Sequence, residues 1–426
     1  MATDGRLRIL VCGATGLIGR ALCARLEASG HEVFRGMRTP IFANDIAIDY
    51  TSDFSVEDWL PRVKGMDVVV NAVGIIVETG ANRFDAIHHR APAALFRASA
   101  EAGVTRIVQV SALGAIDGDT PYFQSKRAAD DVLRQLPVSS RILYPSLVYA
   151  EDGDSARMFR TLASLPLIPV PALGDAKFQP VHVDDVVDAA MLAIASSTAS
   201  ASSIDVVGLH PVSYRAMLDA YRAGMQFPPA RWITIPRPVM TIAARVAGFV
   251  PGSKLTTDNW RMLQYGCHAD AAPMTQTLGR PPLAIDQFIS RNDAPALRQH
   301  AMAAWRLPML RAVMAMIWLA TAFVTLFAYP IADSLAMLHA VGLDGTSATV
   351  ALYGAVGVDA AMGIACLFYR GRGLWALQAA IVLGYSLVIA IAMPEFLWHP
   401  FGPVLKNLPI LAILLILYTE QPSWNT

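Results

Sequence analysis

Three side chains in the first third of the chain have the types and spacing needed for proton transfer. Ser111 directly follows the apolar run Arg106–Val110. Tyr122 and Lys126 lie four residues apart, which places them on one face of a helix. An ammonium group beside a phenol lowers the pKa of the tyrosine towards a range useful for acid–base catalysis, and a serine hydroxyl can hold a substrate oxygen. We therefore predict that Ser111, Tyr122 and Lys126 are catalytic; the alternative is that Lys126 only binds a cofactor.

A glycine-rich turn with the spacing G-x-x-G-x-x-G precedes these residues. It follows the apolar run Leu7–Cys12 and opens the amphipathic segment Leu17–Ser29. In this setting the first glycine allows a tight turn and the second lets the backbone approach a pyrophosphate. The third lets the helix pack closely on the strand, with the phosphates at the helix N-terminus. The residues predicted to bind a nucleotide here are Gly13, Thr15, Gly16, Leu17, Ile18 and Gly19.

The end of the second predicted strand indicates which cofactor is bound. A carboxylate there binds the ribose 2′-hydroxyl of NAD, whereas an arginine accommodates the 2′-phosphate of NADP. The strand is followed by Arg35 and Arg38 and by no acidic residue. We predict a preference for NADP(H), with NAD(H) possible; the alternative is that both arginines are solvated surface residues. After the third strand, Asp49 is predicted to bond the adenine edge. After the fourth, a tight turn against the cofactor is predicted at Asn71, Ala72 and Gly74.

These residues are placed by alternating strand and helix patterns in residues 1–150. Such alternation predicts a doubly wound parallel α/β sheet with right-handed crossovers. The predicted strands are Leu7–Cys12, Glu32–Arg35, Asp45–Ile48, Asp67–Asn71, Arg106–Val110 and Ser140–Leu143. The predicted helices are Leu17–Ser29, Ser55–Val63, Asn82–Ala102 and Tyr122–Leu136. Residues 151–300 are less regular and form a smaller substrate lobe, which completes a domain of residues 1–300.

The last part of the chain is apolar enough to lie in lipid. The sequence is 54% hydrophobic and only 16% charged, and the charge deficit is concentrated after residue 309. A helix needs about 20 residues to cross a bilayer. We predict a four-helix transmembrane domain over residues 309–419, rather than a buried soluble bundle. The spans are Met309–Tyr329, Ala348–Tyr369, Gly373–Met393 and the shorter Phe401–Tyr418.

Basic residues near the predicted spans indicate the orientation in the membrane. Arginines precede the first span and separate the second from the third, but the connection between the first two spans has neither Lys nor Arg. The positive-inside rule therefore places the N-terminal domain and the C-terminus in the cytoplasm, at an inner or plasma membrane. Asp359, in the middle of the second span, is an unusual intramembrane acid. It either contacts a quinone, a proton path or a polar partner, or makes an interhelical hydrogen bond.

The bulk composition excludes several classes of function. The net charge is zero, so the chain lacks the basic balance of a nucleic-acid-binding protein. The four cysteines, Cys12, Cys23, Cys267 and Cys366, have no metal-ligand spacing, and we predict no metal site.

The combination of motifs resembles the short-chain dehydrogenase/reductase superfamily, in its extended or atypical branch. Within that branch it is similar to the group that contains the 39-kDa accessory subunit of respiratory complex I. The resemblance covers roughly residues 5–300, and residues 309–419 resemble the DoxX-like family of four-helix membrane domains. The segments that carry the resemblance are Gly13–Gly19, Asn71–Gly74, Ser111, Tyr122–Lys126, Pro145–Tyr149 and Gln179–Val186.

The resemblance implies a Rossmann-type fold and further roles for residues already named. Lys126 would also hold the nicotinamide ribose, and Pro145 and Ser146 would lie beside the nicotinamide ring. His182–Asp185 would start the helix that closes the substrate lobe; a simpler interpretation is that Asp184 or Asp185 only caps that helix.

The function expected from motifs and resemblance together is a membrane-anchored, NADP(H)-preferring oxidoreductase acting on a lipophilic carbonyl, alcohol or quinone-like substrate. One alternative is a non-catalytic nucleotide-binding subunit or assembly factor of a respiratory or other membrane redox complex. Another is an NAD(P)-dependent epimerase or dehydratase.

Overall fold

The computed structural model describes residues 5–196, 201–250, 253–400 and 402–421. The chain divides into two compact units, Met1–Ala301 and Met302–Thr426.

The first unit is an α/β structure. Its strands are β1 (Arg8–Cys12), β2 (Glu32–Met37), β3 (Asp45–Ala47), β4 (Val68–Asn71), β5 (Arg106–Val110), β6 (Ser139–Pro145), β7 (Val148–Tyr149), β8 (Leu167–Pro171), β9 (Lys177–Phe178), β10 (Val181–His182), β11 (Ser202–Val206), β12 (Val212–Ser213) and β13 (Arg231–Ile235). Its helices are α1 (Leu17–Ala28), α2 (Val56–Val63), α3 (Ala91–Glu101), α4 (Pro121–Gln135), α5 (Asp154–Ser164), α6 (Val183–Ala195), α7 (Tyr214–Gly224), α8 (Arg237–Ala247), α9 (Thr257–Tyr265) and α10 (Ala272–Leu278), with a 3₁₀ turn at Ile285–Gln287.

Seven parallel strands form the main sheet, in the order β11-β6-β5-β4-β1-β2-β3. The chain runs outward from β1 through β2 to β3 and then returns to place β4 on the other side of β1. This reversal opens a crevice at the carboxyl ends of β1 and β4, where doubly wound folds bind ligands. The predicted fold class is therefore confirmed.

Both faces of the sheet are covered by helices, as the nearly continuous apolar strands predict. In β1, Leu10 packs into the core under α2, α3 and α4, while its neighbours Ile9 and Val11 pack under α1 and α6. Because side chains alternate along a strand, one apolar run supplies both cores.

The predicted helix Asn82–Ala102 is divided in the structure. A π-helical turn occupies Asp85–Arg90 and α3 follows at Ala91. Pro92 lies in the first turn of α3 and has no N–H to donate to the carbonyl four residues earlier, which accounts for the wider turn before it. This turn carries His88 into the site described below.

The substrate lobe has a core of its own. This core is surrounded by helices α5 and α7–α9 and by three two-stranded sheets, β10–β7, β12–β9 and β13–β8. Its centre contains stacked Tyr149 and Tyr221 rings with centroids 5.3 Å apart. Helix α6 links this lobe to the main sheet, because its N-terminus follows β10 and its apolar face packs on α1.

The second unit is helical. Helix α11 (Ala294–Phe323) starts in the first unit and continues through a π-helical turn to Ala328. It is followed by α12 (Ile331–Ala340), α13 (Gly345–Phe368), α14 (Arg372–Ala392), α15 (Glu395–Trp398) and α16 (Asn407–Glu420). The interior holds a polar contact between α11 and α14, in which the Trp318 indole N–H donates to Gln378 Oε1 at 2.9 Å.

Among the described residues, three helical segments are long and apolar enough to cross a membrane: Ala294–Ala328, Gly345–Phe368 and Arg372–Ala392. The predicted fourth span, Phe401–Tyr418, begins at a residue outside the described part. Its helix α16 has 14 residues, about 21 Å at the usual rise, which is shorter than the roughly 30 Å core of a bilayer. The described residues therefore contain three membrane-length helical segments, and the fourth span stays a prediction.

Asp359 lies on α13 and is buried within the second unit. One of its carboxyl oxygens has no hydrogen-bond partner among the residues that the structure describes. The interhelical hydrogen bond considered above is therefore absent at that oxygen.

Candidate active site

The glycine-rich turn forms a cradle between β1 and α1 that has no room for side chains. Gly13 has φ +81°, and a Cβ at Gly19 would lie 2.2 Å from the carbonyl oxygen of Gly13. Gly16 is the N-cap of α1 and has no side chain to bond the first N–H groups of the helix. Such a helix terminus attracts an anion such as a phosphate.

A cavity of about 440 Å³ opens beside this cradle, at the carboxyl ends of β1, β2 and β4. Thr39, Ile41, Ile48, Tyr50 and Ile87 supply part of its wall. Of the residues predicted to bind the nucleotide, those that line it are Gly13, Thr15, Gly16, Arg38, Ala72 and Gly74. A glycine cradle that a Cβ would fill, next to a cavity at the switch point of the sheet, fits a dinucleotide.

The two arginines considered for the 2′-phosphate have different surroundings. Arg38 lines the cavity, and its guanidinium donates to the side chain of Asn82. Arg35 is not among the lining residues; it pairs with Glu27 of α1 and with Asp45 at 3.9 Å. The strand β2 extends to Met37, two residues beyond the predicted end, so Arg35 lies within the strand. Arg38 is the arginine in position to meet a nucleotide.

The predicted adenine contact, Asp49, is held by a tight turn. Its carboxylate accepts hydrogen bonds from the hydroxyl and the backbone N–H of Thr51, at 2.7 and 2.9 Å. These bonds lower the pKa of Asp49, so the group remains ionised and able to accept a further hydrogen bond.

Asn71 is buried beneath the turn rather than open to the cavity. Its side chain accepts from Tyr50 Oη at 2.8 Å and donates to Gln109 Oε1 at 2.8 Å. The carbonyl and amide groups of the side chain are thus engaged within the protein, and Asn71 fixes the turn that brings Ala72 and Gly74 to the cavity wall.

Ser111 is bonded to a carboxyl group that the sequence reasoning missed. Its hydroxyl donates to Asp130 Oδ2 at 2.6 Å, and Gln109 Nε2 donates to the other carboxyl oxygen at 3.4 Å. Asp130 is almost fully buried, and burial raises its pKa to about 6. A buried chain of polar side chains therefore runs from the cavity wall to the serine, through Tyr50, Asn71, Gln109, Asp130 and Ser111.

Lys126 lies where the carboxyl ends of β4 and β5 meet. Its ammonium donates to the carbonyl oxygens of Val110 and Val73, at 3.2 and 3.4 Å. A Cβ at Gly74 would come within 3.2 Å of Nζ, so the lysine adjoins the wall of the nucleotide cavity. Burial lowers the pKa of Lys126 to about 8.

Tyr122 is set in an aromatic cluster. Its ring makes edge contacts with Phe84, His88 and Phe123, with centroids 5.8, 5.4 and 5.3 Å away. Within the described part of the chain its hydroxyl has no hydrogen-bond partner. Burial raises the pKa of Tyr122, with a smaller contribution from Cys267. The expectation that Lys126 lowers the pKa of this phenol is therefore wrong for this arrangement, because desolvation by the surrounding rings dominates.

His88 is a second residue that the sequence did not indicate. Its Nε2 accepts from the backbone N–H of Ile75 at 3.0 Å, so Nδ1 carries the proton that faces Ser125 Oγ at 3.0 Å. Burial, together with the charge of Lys126, lowers the pKa of His88 well below its usual value. The histidine is thus a neutral group that supports the Tyr122 ring and the turn after β4.

The remaining predicted contacts lie at the end of β6. Pro145 is its last residue, and the buried Ser146 donates its hydroxyl to the carbonyl of Gln179 while its N–H donates to Val206 O at 3.0 Å. Ser146 therefore joins the sheet to the substrate lobe.

The cap of α6 differs from the expectation. His182 is the N-cap residue, and its Nδ1 accepts from the backbone N–H of Asp184 at 3.3 Å. Asp185 instead accepts from Leu283 N at 2.8 Å and pairs with Arg280 at 2.7 Å. Asp185 secures the segment after α10 because its side chain faces the lobe, not the helix end.

Two protein families match the chain, one within each of its two compact units. Residues 9–207 match the NAD dependent epimerase/dehydratase family, and residues 315–415 match the DoxX-like family. The first unit is therefore similar to NAD dependent epimerase/dehydratase domains and the second to DoxX-like domains, as the resemblance implied.

Two curated relatives share part of the chain. A ceramide reductase of Caulobacter vibrioides is 30% identical over 192 residues, which is 43% of this chain and 60% of that protein. The mitochondrial NADH dehydrogenase (ubiquinone) 1 alpha subcomplex subunit 9 of Arabidopsis thaliana is 30% identical over 254 residues, 54% of this chain and 63% of that protein. The chain thus spans about three-fifths of the length of these relatives.

Solved structures show the same fold in the first unit. An NADPH-dependent quinone oxidoreductase of Escherichia coli, complexed with NADPH, aligns with TM-score 0.54 at 15% identity, over 67% of this chain and 99% of that one. A short-chain dehydrogenase/reductase superfamily protein of Agrobacterium tumefaciens with bound NAD aligns with TM-score 0.52 at 16% identity, over 70% and 98%. At these identities the likeness shows the fold alone.

Proposed function

We propose that this chain, an NAD(P)-binding reductase/epimerase-family domain joined to a membrane region, is a membrane-anchored oxidoreductase that prefers NADP(H) and reduces the carbonyl group of a lipophilic substrate. The observation that carries the proposal is the placement of Tyr122. Its phenol lies on the same helix face as Lys126, and Lys126 adjoins the wall of the nucleotide cavity.

The side chains of the site suit reduction. A nicotinamide cofactor, when bound, would supply the hydride to the carbonyl carbon. The phenol of Tyr122 gives its proton to the carbonyl oxygen, so the carbonyl compound gains a hydride and a proton and becomes an alcohol. Because burial raises the pKa of Tyr122, the phenol holds its proton at neutral pH, which is the form that a donor needs. Lys126 is one helical turn away, but its ammonium donates to the carbonyl oxygens of Val110 and Val73, so burial sets the raised pKa of the phenol.

The preference for NADP(H) is supported by Arg38. Its guanidinium lines the cavity beyond the end of β2, where the 2′-phosphate of NADP lies in folds of this kind. A guanidinium can bind a phosphate through two parallel, charge-assisted hydrogen bonds.

The substrate class is supported by the membrane region and by one relative. A chain with three membrane-length helices holds its catalytic domain at a bilayer, where lipophilic compounds are concentrated. The relative from Caulobacter vibrioides is named for its action on a ceramide, which is a membrane lipid. A lipid-borne ketone is the favoured substrate and a quinone is the alternative within the same class.

The proposed location is an inner or plasma membrane, with four helices in the bilayer and with the first unit and the C-terminus in the cytoplasm. The arginine bias supports it: Arg306 and Arg311 lie near the N-terminal end of the predicted first span, Arg370 lies between α13 and α14, and Arg372 is the first residue of α14.

The experiment that tests the function is a substrate screen. The full chain in lipid nanodiscs is supplied with NADPH and with long-chain keto lipids, quinones or short water-soluble ketones, and cofactor oxidation is followed. We expect turnover with a lipophilic carbonyl and much less with the short ketones. Binding of NADPH without oxidation by any member of the panel would contradict the proposal.

A second candidate function is favoured by the relative from Arabidopsis thaliana, which is named as a subunit of an NADH dehydrogenase. Under this hypothesis the chain is a non-catalytic nucleotide-binding subunit or assembly factor of a membrane redox complex. A third candidate, an epimerase or dehydratase, is favoured by the family matched at residues 9–207. An epimerase returns the hydride to its substrate, so it would show no net oxidation of NADPH.

A further inference from the structure

Helix α8 in the substrate lobe is apolar on two opposite sides. Met240 and Ala244 pack into the core of the lobe, and Thr241 accepts a hydrogen bond from the indole of Trp260 at 3.1 Å. On the other side, apolar side chains face solvent with exposed fractions from 52% to 88%. On α8 these side chains are Val239, Ile242 and Val246, and Phe249 and Val250 follow directly after the end of the helix.

The exposed residues form one surface, which we call the α8 stripe. Val239, Ile242 and Val246 follow the three- and four-residue spacing of a single helix face, and Phe249 follows just after the C-cap Gly248. Scattered apolar residues are normal on a protein surface. A continuous apolar stripe that ends in an almost fully exposed phenylalanine instead indicates an interaction surface.

The segment that carries the stripe is basic, although its Lys254 pairs with Asp154 of α5 at 2.9 Å. Residues 228–257 contain three arginines and one lysine but no aspartate or glutamate. Arg231 and Arg245 are exposed, and Arg245 lies within the exposed part of α8 itself. An apolar helix face bordered by basic residues is the pattern of a helix that lies in the interface of an anionic bilayer.

The occupant of this surface is indicated by the rest of the chain. The same polypeptide has three membrane-length helices from Ala294 onward, so a lipid surface is always close to the first unit. A separate protein would have to be recruited, whereas the basic border of the stripe complements the negative surface of an anionic bilayer to which this chain is already tethered.

We propose that the α8 stripe inserts into the headgroup–acyl boundary of the bilayer and holds the substrate lobe on the membrane. The proposal rests on membrane anchoring and not on reductase activity. It has a bearing on the site, because α8 packs on α9 and Arg261 of α9 pairs with Asp119 at 2.7 Å. Asp119 lies just before α4, the helix that carries Tyr122. The lipid-contacting helix is therefore connected to the catalytic helix through a single intervening element.

The test is photo-crosslinking of the full chain in nanodiscs of phosphatidylcholine and phosphatidylglycerol. A photoreactive phenylalanine replaces Phe249 or Ile242, and intact-protein mass spectrometry detects adducts with lipid. The matched control is Leu192 on α6, which is 42% exposed but lies on a helix with Asp184, Asp185 and Asp188. We expect lipid adducts at positions 249 and 242, none above background at 192, and a loss of adduct when phosphatidylglycerol is omitted.

A second measurement places acidic residues in the α8 stripe, which should weaken its contact with an anionic bilayer. In the Ile242→Glu/Phe249→Glu variant we expect trypsin to cleave after Arg245 faster than in the wild-type chain, in the same nanodiscs, and Leu192→Glu to leave that rate unchanged. Crosslinks from position 249 to a second copy of the chain or to another protein would overturn the proposal, as would equal lipid adducts at 192 and 249. Since neither readout requires turnover, an inactive enzyme with lipid adducts would reject only the proposed function.

Discussion

The hydroxyl of Ser111 donates a hydrogen bond to the carboxyl group of Asp130, with 2.6 Å between Ser111 Oγ and Asp130 Oδ2. A hydroxyl has one proton, so while Asp130 is ionised Ser111 can accept a hydrogen bond but cannot donate one to a carbonyl substrate. When Asp130 is protonated, its carboxyl group can donate a hydrogen bond to Ser111. The serine hydroxyl is then free to donate its own hydrogen bond to a carbonyl substrate. The carboxyl beneath the serine thus determines whether the site favours a carbonyl or a hydroxyl group.

The rate of carbonyl reduction should depend on the charge of Asp130. Burial raises the pKa of this carboxyl to about 6, so we expect kcat/KM for reduction to rise as the pH falls through about 6. In Asp130→Asn the inflection should disappear, and reduction at pH 8 should approach the wild-type rate at low pH. An unchanged pH profile in Asp130→Asn would show that Asp130 does not act through Ser111. The pH dependence of NADPH binding is the control.

The same carboxyl should make stability depend on pH. Its pKa is higher in the folded protein than in the unfolded chain, so its contribution is fully present below about pH 4 and is lost as the pH rises to about 6. A shift from 3.8 to about 6 corresponds to about 3 kcal/mol. We expect Asp130→Asn to gain stability relative to wild type between pH 4 and pH 7, measured as thermal unfolding of the first unit. A difference that stays constant over this interval would be inconsistent with a buried, titrating Asp130.

Cofactor selectivity should depend on Arg38 more than on Arg35. Loss of a charged hydrogen bond to phosphate weakens binding by about 10- to 100-fold, so we expect Arg38→Ala to raise the Kd for NADPH by that factor. Arg35→Ala should change it little, because Arg35 pairs with Glu27 and Asp45. Nicotinamide fluorescence measures both constants, and NADH is the control ligand, whose Kd should not change. Wild-type Kd values that are equal for the two cofactors would rule out the preference.

The membrane topology should follow the arginine bias. A reporter inserted near Gly342, between α12 and α13, should be external, and one fused after Thr426 should be cytoplasmic. Because α16 has only 14 residues, an external C-terminal reporter would show that the chain crosses the membrane three times and that the segment from Phe401 does not span.

The parts of the fold and site that could be predicted from sequence are those encoded locally. The glycine spacing after β1 predicts the cradle, because tight turns and close approaches require glycine at fixed positions. The strand–helix alternation predicts the parallel sheet, because two strands joined by a crossover helix pair in parallel.

Features that depend on tertiary contacts could not be predicted. Asp130 lies one turn after Lys126 on the same helix face, and this spacing was the only signal for it. His88 gave no signal, because a π-helical turn before Pro92 places it in the site. The pKa of Tyr122 was predicted from its helical neighbour alone, whereas the rings that bury it come from elsewhere in the chain. The position of Arg35 inside the strand could not be predicted, because β2 continues to Met37; its contact with the cofactor stays a prediction.

The central claim is tested most directly by comparing Tyr122→Phe with the wild-type chain, in nanodiscs, with NADPH and the best lipophilic carbonyl from the screen. We predict that kcat falls by about two to four orders of magnitude, the usual range for loss of a positioned acid. The Kd for NADPH should barely change, because the ring and its contacts with Phe84 and His88 remain. Lys126→Ala should impair both turnover and binding, since its ammonium adjoins the cavity wall. A Tyr122→Phe protein with the full wild-type rate would contradict the account and favour the non-catalytic subunit.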